Sequence, residues 1–276
     1  MPPPNPGSGW PWGRYARPVI VTIGDLIDDV VVWPAGPILS GTDTPARIRH
    51  RRGGSAANVA SMVARCGGAA RFVGSIGADT VGERLVAELR ADGVDVVAQP
   101  TPHAPTGTIV VLVDPSTAER SFLTDRGACT HLVDPDPAWL DGATALHVPG
   151  YSFTDEPLAV TATASVLTAR ERGIPVSVDA SSAGALADLG VEHFRALLRA
   201  LAPDALLANA DEAALLGIGP GRPAEGVATT VVRHGADPTT VVTADGTTRT
   251  VAVPPVDDVV DTTGAGDGFA AGWLLA

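Results

Sequence analysis

Short runs of β-branched and apolar residues alternate along the chain with segments whose apolar positions recur every three or four residues. Val19 to Ile23 reads as a buried strand, closed by Gly24 and the acids Asp25, Asp28 and Asp29. Ser55 stands where a cap would open a helix in which Val59, Met62, Val63 and Cys66 fall on one face, ending at Gly67. Arg71 to Val73 reads as a short strand. Thr80 and Glu83 have capping-box spacing ahead of a helix through Leu85, Val86 and Leu89 that stops at Gly93.

The middle of the chain changes rhythm. Thr106 to Val113 and Arg120 to Thr124 read as strands joined by the turn-rich Asp114-Pro115-Ser116-Thr117, which makes a hairpin. Alternation then resumes with a strand at Leu146 to Val148, a helix from about Pro157 to Arg172 and a strand at Val176 to Val178. A helix at Val191 to Leu201 and a strand at Ala205 to Ala208 follow. Strands alternating with helices of this length predict an α/β domain, its mainly parallel sheet covered on both faces. The hairpin, paired with Val30 to Trp33, is expected to form a small antiparallel lid from about 30–50 and 105–125, beside a main domain over 18–276.

Composition narrows the picture. The chain has 276 residues, 45% hydrophobic and 18% charged, which suits one large core and excludes disordered, collagen-like and disulfide-scaffold classes. Residues 1–17 are rich in Pro and Gly with Trp10 and Trp12, and read as a disordered arm without a signal-peptide core. No apolar run reaches the ~18 residues of a membrane span, so a cytoplasmic protein is expected. The net charge of −12 argues against nucleic acid and anionic membrane as partners.

All 19 basic residues are Arg. The absence of Lys excludes Walker-type nucleotide binding, protein-kinase chemistry, Schiff-base aldolases and pyridoxal-phosphate enzymes, each of which needs an amine. Any phosphate must be held by backbone N–H groups, Arg and metal. Cys66 and Cys129 make neither a disulfide framework nor a metal cluster, and read as small buried apolar residues.

Three segments carry candidate chemistry. Asp261-Thr262-Thr263-Gly264-Ala265-Gly266-Asp267 follows the run Val256 to Val260 and precedes the helical run Ala270 to Leu275. A glycine-rich turn at a helix start presents unpaired N–H groups and the positive end of the dipole, an anion site that needs no lysine. Its GxGxG spacing is not the dinucleotide fingerprint. An acid at the mouth of an anion site suits a proton acceptor beside transferred phosphate, although Asp267 would also serve as a cap. Gly53-Gly54-Ser55-Ala56-Ala57-Asn58 is a second glycine-rich turn into a helix, where Asn58 could also bond locally. Asn209 and Glu212 put an amide and a carboxylate on one helical face, which suits either the water shell of Mg²⁺ or a solvated helix start.

Together these segments resemble the ribokinase, or phosphofructokinase-B-type (PfkB), family of carbohydrate kinases, from about Val19 to the end. The N-terminal signature resembles Gly53-Gly54 with Asn58, the C-terminal one Asp261 to Asp267, and the NxxE motif Asn209 and Glu212. Gly24 with Asp29 resembles the first-strand sugar turn, and Thr106-Gly107-Thr108 with Glu119-Arg120 the lid strands. The resemblance implies a doubly wound α/β fold with a β lid. It also implies transfer of the γ-phosphoryl group of ATP to a primary hydroxyl of a small carbohydrate.

By the same resemblance Asp29, Gly53, Gly54 and Asn58 would bind the sugar. Asp267 would be the general base, and Gly264, Ala265 and Gly266 the anion hole. Asn209 and Glu212 would organise Mg²⁺ and its waters around ATP. Asp261 and Thr263 would flank a monovalent cation such as K⁺, and the lid would support a homodimer.

Two departures stand out. Val231-Val232 is followed by Arg233-His234-Gly235, where the family commonly has a small or hydroxyl residue and an aliphatic before the glycine, and Pro238 replaces a usual glycine. Arg233 could reach ATP phosphates with Gly235, or Arg233 and His234 could be surface substitutions. The family also continues past the position of Ala276 through a helix that walls the adenine pocket and carries later cation ligands. Two other functions fit the same residues. A nucleoside kinase of the family would need an aromatic or apolar platform in the lid, where Trp33 and Phe122 are the aromatic residues, and this favours a plain sugar. A non-catalytic ligand-binding protein on the same fold is the other.

Overall fold

The computed structural model describes residues 19–117, 119–257, 259 and 262–276. The expected arm at 1–17, the cation ligand Asp261 and the end of the Val256 to Val260 run lie outside these described residues.

The chain begins with β1 (Val19–Ile23), whose five residues are almost wholly buried, as a strand covered on both faces must be. It then leaves the main sheet for β2 (Ile27–Pro34) and β3 (Ala46–Gly53) and returns through α1 (Ser55–Arg65), β4 (Ala69–Gly77), α2 (Thr80–Ala91) and β5 (Asp95–Thr101). A second excursion makes β6 (Thr108–Val113) and β7 (Arg120–Asp125). Alternation follows through β8 (Ala143–Pro149), α3 (Leu158–Glu171), β9 (Val176–Asp179), α4 (Ala183–Leu189), α5 (Val191–Leu201), β10 (Ala205–Asn209) and α6 (Ala210–Leu216). The described chain closes with β11 (Thr229–His234), β12 (Asp237–Thr243), β13 (Thr248–Val251) and α7 (Ala265–Leu275).

The main sheet runs β13-β12-β11-β10-β9-β8-β1-β4-β5 and is parallel from β11 to β5, with an antiparallel edge of β12 and β13. One face packs on α3, α5 and α6 through Val166, Leu198 and Leu216, the other on α1, α2 and α7 through Val63, Leu89 and Ala271. The predicted doubly wound α/β architecture is therefore present. Strand order reverses at β1, with β4 on one side and β8 on the other, and a doubly wound sheet opens a ligand crevice where its order reverses.

The lid is a separate sheet of order β3-β2-β6-β7. Its outer pairs are antiparallel and its central pair, β2 with β6, is parallel, because both strands leave the main sheet in the same sense.

Some local expectations need correction. Gly54, not Ser55, is the N-cap of α1, and Asp79, not Thr80, caps α2, its side chain accepting from Gly82 N–H at 2.8 Å. Cys66 is exposed at the end of α1, since a residue at the helix C-cap points past the packed face. Cys129 is buried, and burial pushes its thiol up to about 12. Strand β4 extends well beyond Arg71 to Val73 on both sides.

Candidate active site

The crevice is lined by residues that follow the carboxyl ends of the parallel strands: Asp25 after β1, Tyr151 after β8, Asp179 ending β9, Asn209 ending β10 and Arg233 in β11. Two clefts meet there, one of about 860 Å³ under the lid and one of about 710 Å³ over the β9–β13 half. Ser55 and Tyr151 line both.

The glycine pair sets this junction. At Gly54 φ is +96°, and a Cβ would stand 2.3 Å from the Asp25 carbonyl oxygen, so the backbone both needs glycine and lies against the β1–β2 turn. With the cap at Gly54, Ser55 occupies the first helical position and its hydroxyl is free of capping. It donates instead to Asp267 Oδ1 at 2.8 Å, and Asn58 Nδ2, one turn on, donates to Asp267 Oδ2 at 3.0 Å. The start of α1 therefore clamps the start of α7.

Asp267 is the third residue of α7, whose N-cap Gly264 is left-handed at φ +74°. Burial pushes its carboxyl up to about 6, against the hydrogen bonds from Ser55 and Asn58, which hold it down. The amides of Gly266 and Asp267 sit in the first turn, where no intrahelical acceptor exists. That of Ala265 already donates to Thr262 O at 3.1 Å. Asp267 thus lies at the mouth of a helix N-terminus, lining the second cleft and bonded to Ser55, which lines both, a place that suits proton transfer next to an anion.

Under the lid, Asp29 lies against Gly53, where any Cβ would be 2.3 Å from its Oδ2. Burial first, then Asp28 and Asp267, push the Asp29 carboxyl up to about 6. Strand alternation sends Asp28 the other way, to Arg84 and His50, each at 2.7 Å. Asp25 pairs with Arg126 at 2.6 Å, and Arg126 Nε, buried in the same cleft, has no protein acceptor. The lid's contribution is mostly apolar: Val31, Trp33, Ile109, Val111, Val113 and Phe122 all face the cleft. Trp33 and Phe122 therefore form, with four aliphatic neighbours, the platform that composition alone made look thin. Arg120 of β7 donates to Thr263 Oγ1, joining the lid to the loop before α7.

In the other cleft Arg233 is the hub. Its guanidinium is 3.0 Å from Asp179 Oδ2 and 3.9 Å from Glu212 Oε2, donates to Gly266 O at 3.1 Å, and lies over the Phe269 ring. The surface-substitution alternative for Arg233 is thereby corrected, since the strand end turns its side chain into the cleft. His234 is half-buried, its Nε2 3.1 Å from Thr240 Oγ1.

Asn209 and Glu212 form a full capping box. Asn209 Oδ1 accepts from Glu212 N–H, and the Glu212 carboxylate accepts from Asn209 N–H and Nδ2. The helix start is solvated at Asn209 and Asp211, but Glu212 turns inward and is 1% exposed, and burial pushes its carboxyl up to about 7. Gly235 lines the same cleft, with Val231, Val241, Val253, Phe269 and Trp273 as an apolar wall.

The structure thus gathers Asp267, Gly264, Ala265, Gly266, Asn58, Gly54, Asp29, Asn209, Glu212, Arg233 and Gly235 around two joined clefts. Sequence reasoning did not single out Asp25, Asp179, Arg126 or Tyr151, and it gave Ser55 a different task. Asp179 carried a readable signal, a carboxylate directly after a buried parallel strand.

A doubly wound sheet with a lid, an acid at a helix N-terminus and two clefts joined beside it at Ser55 and Tyr151 suit a site that takes two substrates. Comparison with known proteins agrees. The profile of the pfkB family carbohydrate kinases matches residues 18–276, and the chain belongs to that family. It is 31% identical over 233 residues to the aminoimidazole riboside kinase of Salmonella typhimurium, covering 81% of this chain and 72% of that protein. It is 30% identical over 170 residues to fructokinase-1 of Zea mays, covering 59% of this chain and 51% of that one. The adenosine kinase of Sinorhizobium meliloti superposes with a TM-score of 0.79 at 26% identity, covering 94% of this chain and 87% of that one.

Proposed function

We propose that the protein transfers the γ-phosphoryl group of ATP to the primary hydroxyl of a sugar held under the lid. The observation that carries this reading is the position of Asp267, half-buried in the wall of the second cleft and held at the start of α7 by Asn58 and by Ser55, which lines both clefts. There its carboxylate takes the hydroxyl proton, worth ~10²–10⁴-fold in rate. The amides of the first turn of α7 receive the phosphoryl charge, each such donor worth ~10²–10³-fold. Asp29 and the Asp25–Arg126 pair hold the acceptor's other hydroxyls and so fix the approach of the reacting one.

The second cleft fits ATP. Its apolar wall of Val231, Val241, Phe269 and Trp273 suits an adenine ring, and Arg233 brings the cation that lysine supplies elsewhere. Among the described residues no cluster of three metal-binding side chains occurs. Asp179 and Glu212 suit Mg²⁺, which takes one or two carboxylates and completes its shell with water and phosphate. They would hold it, and it would neutralise charge on the triphosphate. On the family resemblance alone, K⁺ beside Asp261 and Thr263 and a homodimer through the lid belong to the same proposal. Activity in potassium against sodium buffers, and sedimentation, test them.

A second reading is supported by the lid. Its six apolar side chains, two of them aromatic, suit a flat or apolar group attached to the sugar, as in a nucleoside. A coupled ADP-release screen over ribose, fructose, ketodeoxy sugar acids and adenosine, each with Mg-ATP, tests both. ADP release that requires an acceptor supports the kinase reading, and its absence across the panel refutes it. Preference for adenosine over ribose selects the second reading.

A further inference from the structure

The inner face of the lid has a charged margin that the proposed chemistry leaves unused. Strand β3 carries Arg47, Arg49 and Arg51 at alternate positions, in register with Trp33, Val31 and Asp29 of β2. Trp33, Val31 and Asp29 face the acceptor cleft, and so does Arg51, so alternation sets all three arginines on the cleft side. The opposite side of β3 is spent on internal pairs: His50 meets Asp28 at 2.7 Å and Arg52 meets Asp92 at 2.9 Å. On the cleft side Arg47 lies over the Trp33 ring at 4.8 Å, and among the described residues Arg49 and Arg51 have no carboxylate partner.

An edge strand needs charge to discourage pairing with another chain, but either face and either sign would serve. A column of one sign facing a cleft, in a chain of net charge −12, answers a different need. The guanidinium fork matches carboxylate and phosphate oxygens two at a time, and aromatic stacking of Arg47 keeps the column ordered.

We infer that the acceptor bears an anionic group, a carboxylate or a phosphate, remote from its reacting hydroxyl, and that Arg49 and Arg51 bind it at the mouth of the lid cleft. The body of the acceptor lies on the apolar strip and its anionic edge faces β3. This rests on the kinase reading only for the word acceptor.

The test uses matched pairs, fructose with fructose 6-phosphate and uridine with its 6-carboxylate, followed by calorimetric binding and by ADP release. The expected result is that at least one anionic member exceeds its neutral partner by about tenfold in affinity and in kcat/KM. That ratio should shrink as salt rises, because the site is exposed. In the double variants R49Q/R51Q and R49E/R51E it should fall to one and below one respectively. The phosphate and carboxylate arms separate the two anions. Arg-dependent binding of an anionic probe without ADP release upholds the inference and sinks the kinase reading. Turnover in which both neutral members equal their anionic partners, or in which R49E/R51E leaves the ratio in place, upholds the kinase reading and overturns the inference. If no probe of either kind binds, the inference falls as well.

Discussion

Gly264, not Asp267, caps α7, so Asp267→Asn separates a catalytic acid from a mere tie to α1 through Ser55 and Asn58, and the surroundings of Asp267 make the separation quantitative. As general base its loss costs ~10²–10⁴-fold in kcat, while acceptor and nucleotide binding persist. As a tie to Ser55 and Asn58 alone, Asn is nearly as good, and turnover would survive. The carboxyl also shapes stability. Burial raises it from 3.8 to about 6, so the folded state holds this proton more tightly than the unfolded chain does. This group's contribution to stability is therefore greatest below pH 4, and its ionisation removes about 3 kcal/mol between pH 4 and 6.

Asn carries no such penalty. It can accept from only one of Ser55 and Asn58, and rotation of the Ser55 hydroxyl or a flip of the Asn58 amide restores the second bond. The variant should thus gain on wild type as pH rises through that window, by about 3 kcal/mol in total. Urea denaturation at pH 4.5 and 7.5, between which about 2 kcal/mol of that gain falls, and single-turnover kinetics at pH 7.5 measure the two effects. A variant that keeps most of its turnover, or a stability difference that is flat across the window, would refute the reasoning.

Other substitutions probe the rest of the site. Ser55→Ala removes the hydroxyl donor to Asp267 Oδ1, so the carboxyl should rise above its wild-type value by up to about one pH unit, from a bond worth ~0.5–1.5 kcal/mol. Wild-type kcat/KM should fall as pH drops through about 6, and the variant's acid limb should lie at higher pH. Arg233→Met leaves the buried Asp179 and Glu212 without their cation, costing ~3–5 kcal/mol and raising KM for ATP. The thermal loss should be smaller at pH 5 than at pH 8, because both carboxyls are raised by burial and take protons. Gly53→Ala places a methyl 2.3 Å from Asp29 Oδ2, so the carboxylate must move out of the acceptor cleft. Losing a hydrogen bond to that charge is worth ~1.5–3 kcal/mol, roughly 10- to 150-fold in acceptor KM with kcat little changed.

The parallel sheet was legible because its strands are short apolar runs closed by polar residues, and α5 falls where its apolar spacing predicts it. The elements that escaped reading lack such contrast. Strand β5 has Pro100 within it and alternates weakly at the sheet edge, and α4 is seven residues long with only Leu186 buried. The motif residues were legible singly, but their partnerships were not. Ser55 reads as a cap by every local rule. The left-handed backbone of Gly54 moves the helix start back by one residue, and the freed hydroxyl serves a carboxylate 212 positions away. Arg233 looked out of place because its partners Asp179, Glu212 and Gly266 come from three other elements.

Those partnerships follow from one electrostatic problem. The strand ends, the lid and the starts of α6 and α7 place Asp25, Asp29, Asp179, Glu212 and Asp267 around clefts proposed to hold a triphosphate and a second substrate, and burial pushes Asp29, Glu212 and Asp267 towards neutrality. Unpaired, such a cluster would repel any phosphate. A chain without lysine has only guanidinium to offset it, and the structure pairs one with a strand-end acid in each cleft, Arg126 with Asp25 and Arg233 with Asp179. Because a guanidinium stays charged at any pH at which the fold survives, these two acids keep fixed partners. Asp267 is the exception. Its two direct partners are neutral donors, Ser55 and Asn58, so its carboxyl remains close enough to neutral pH to accept a proton and give it up again. An arginine in place of either donor would pair with Asp267 and lower its proton affinity, leaving a carboxylate too weakly basic to take a proton beside the start of α7.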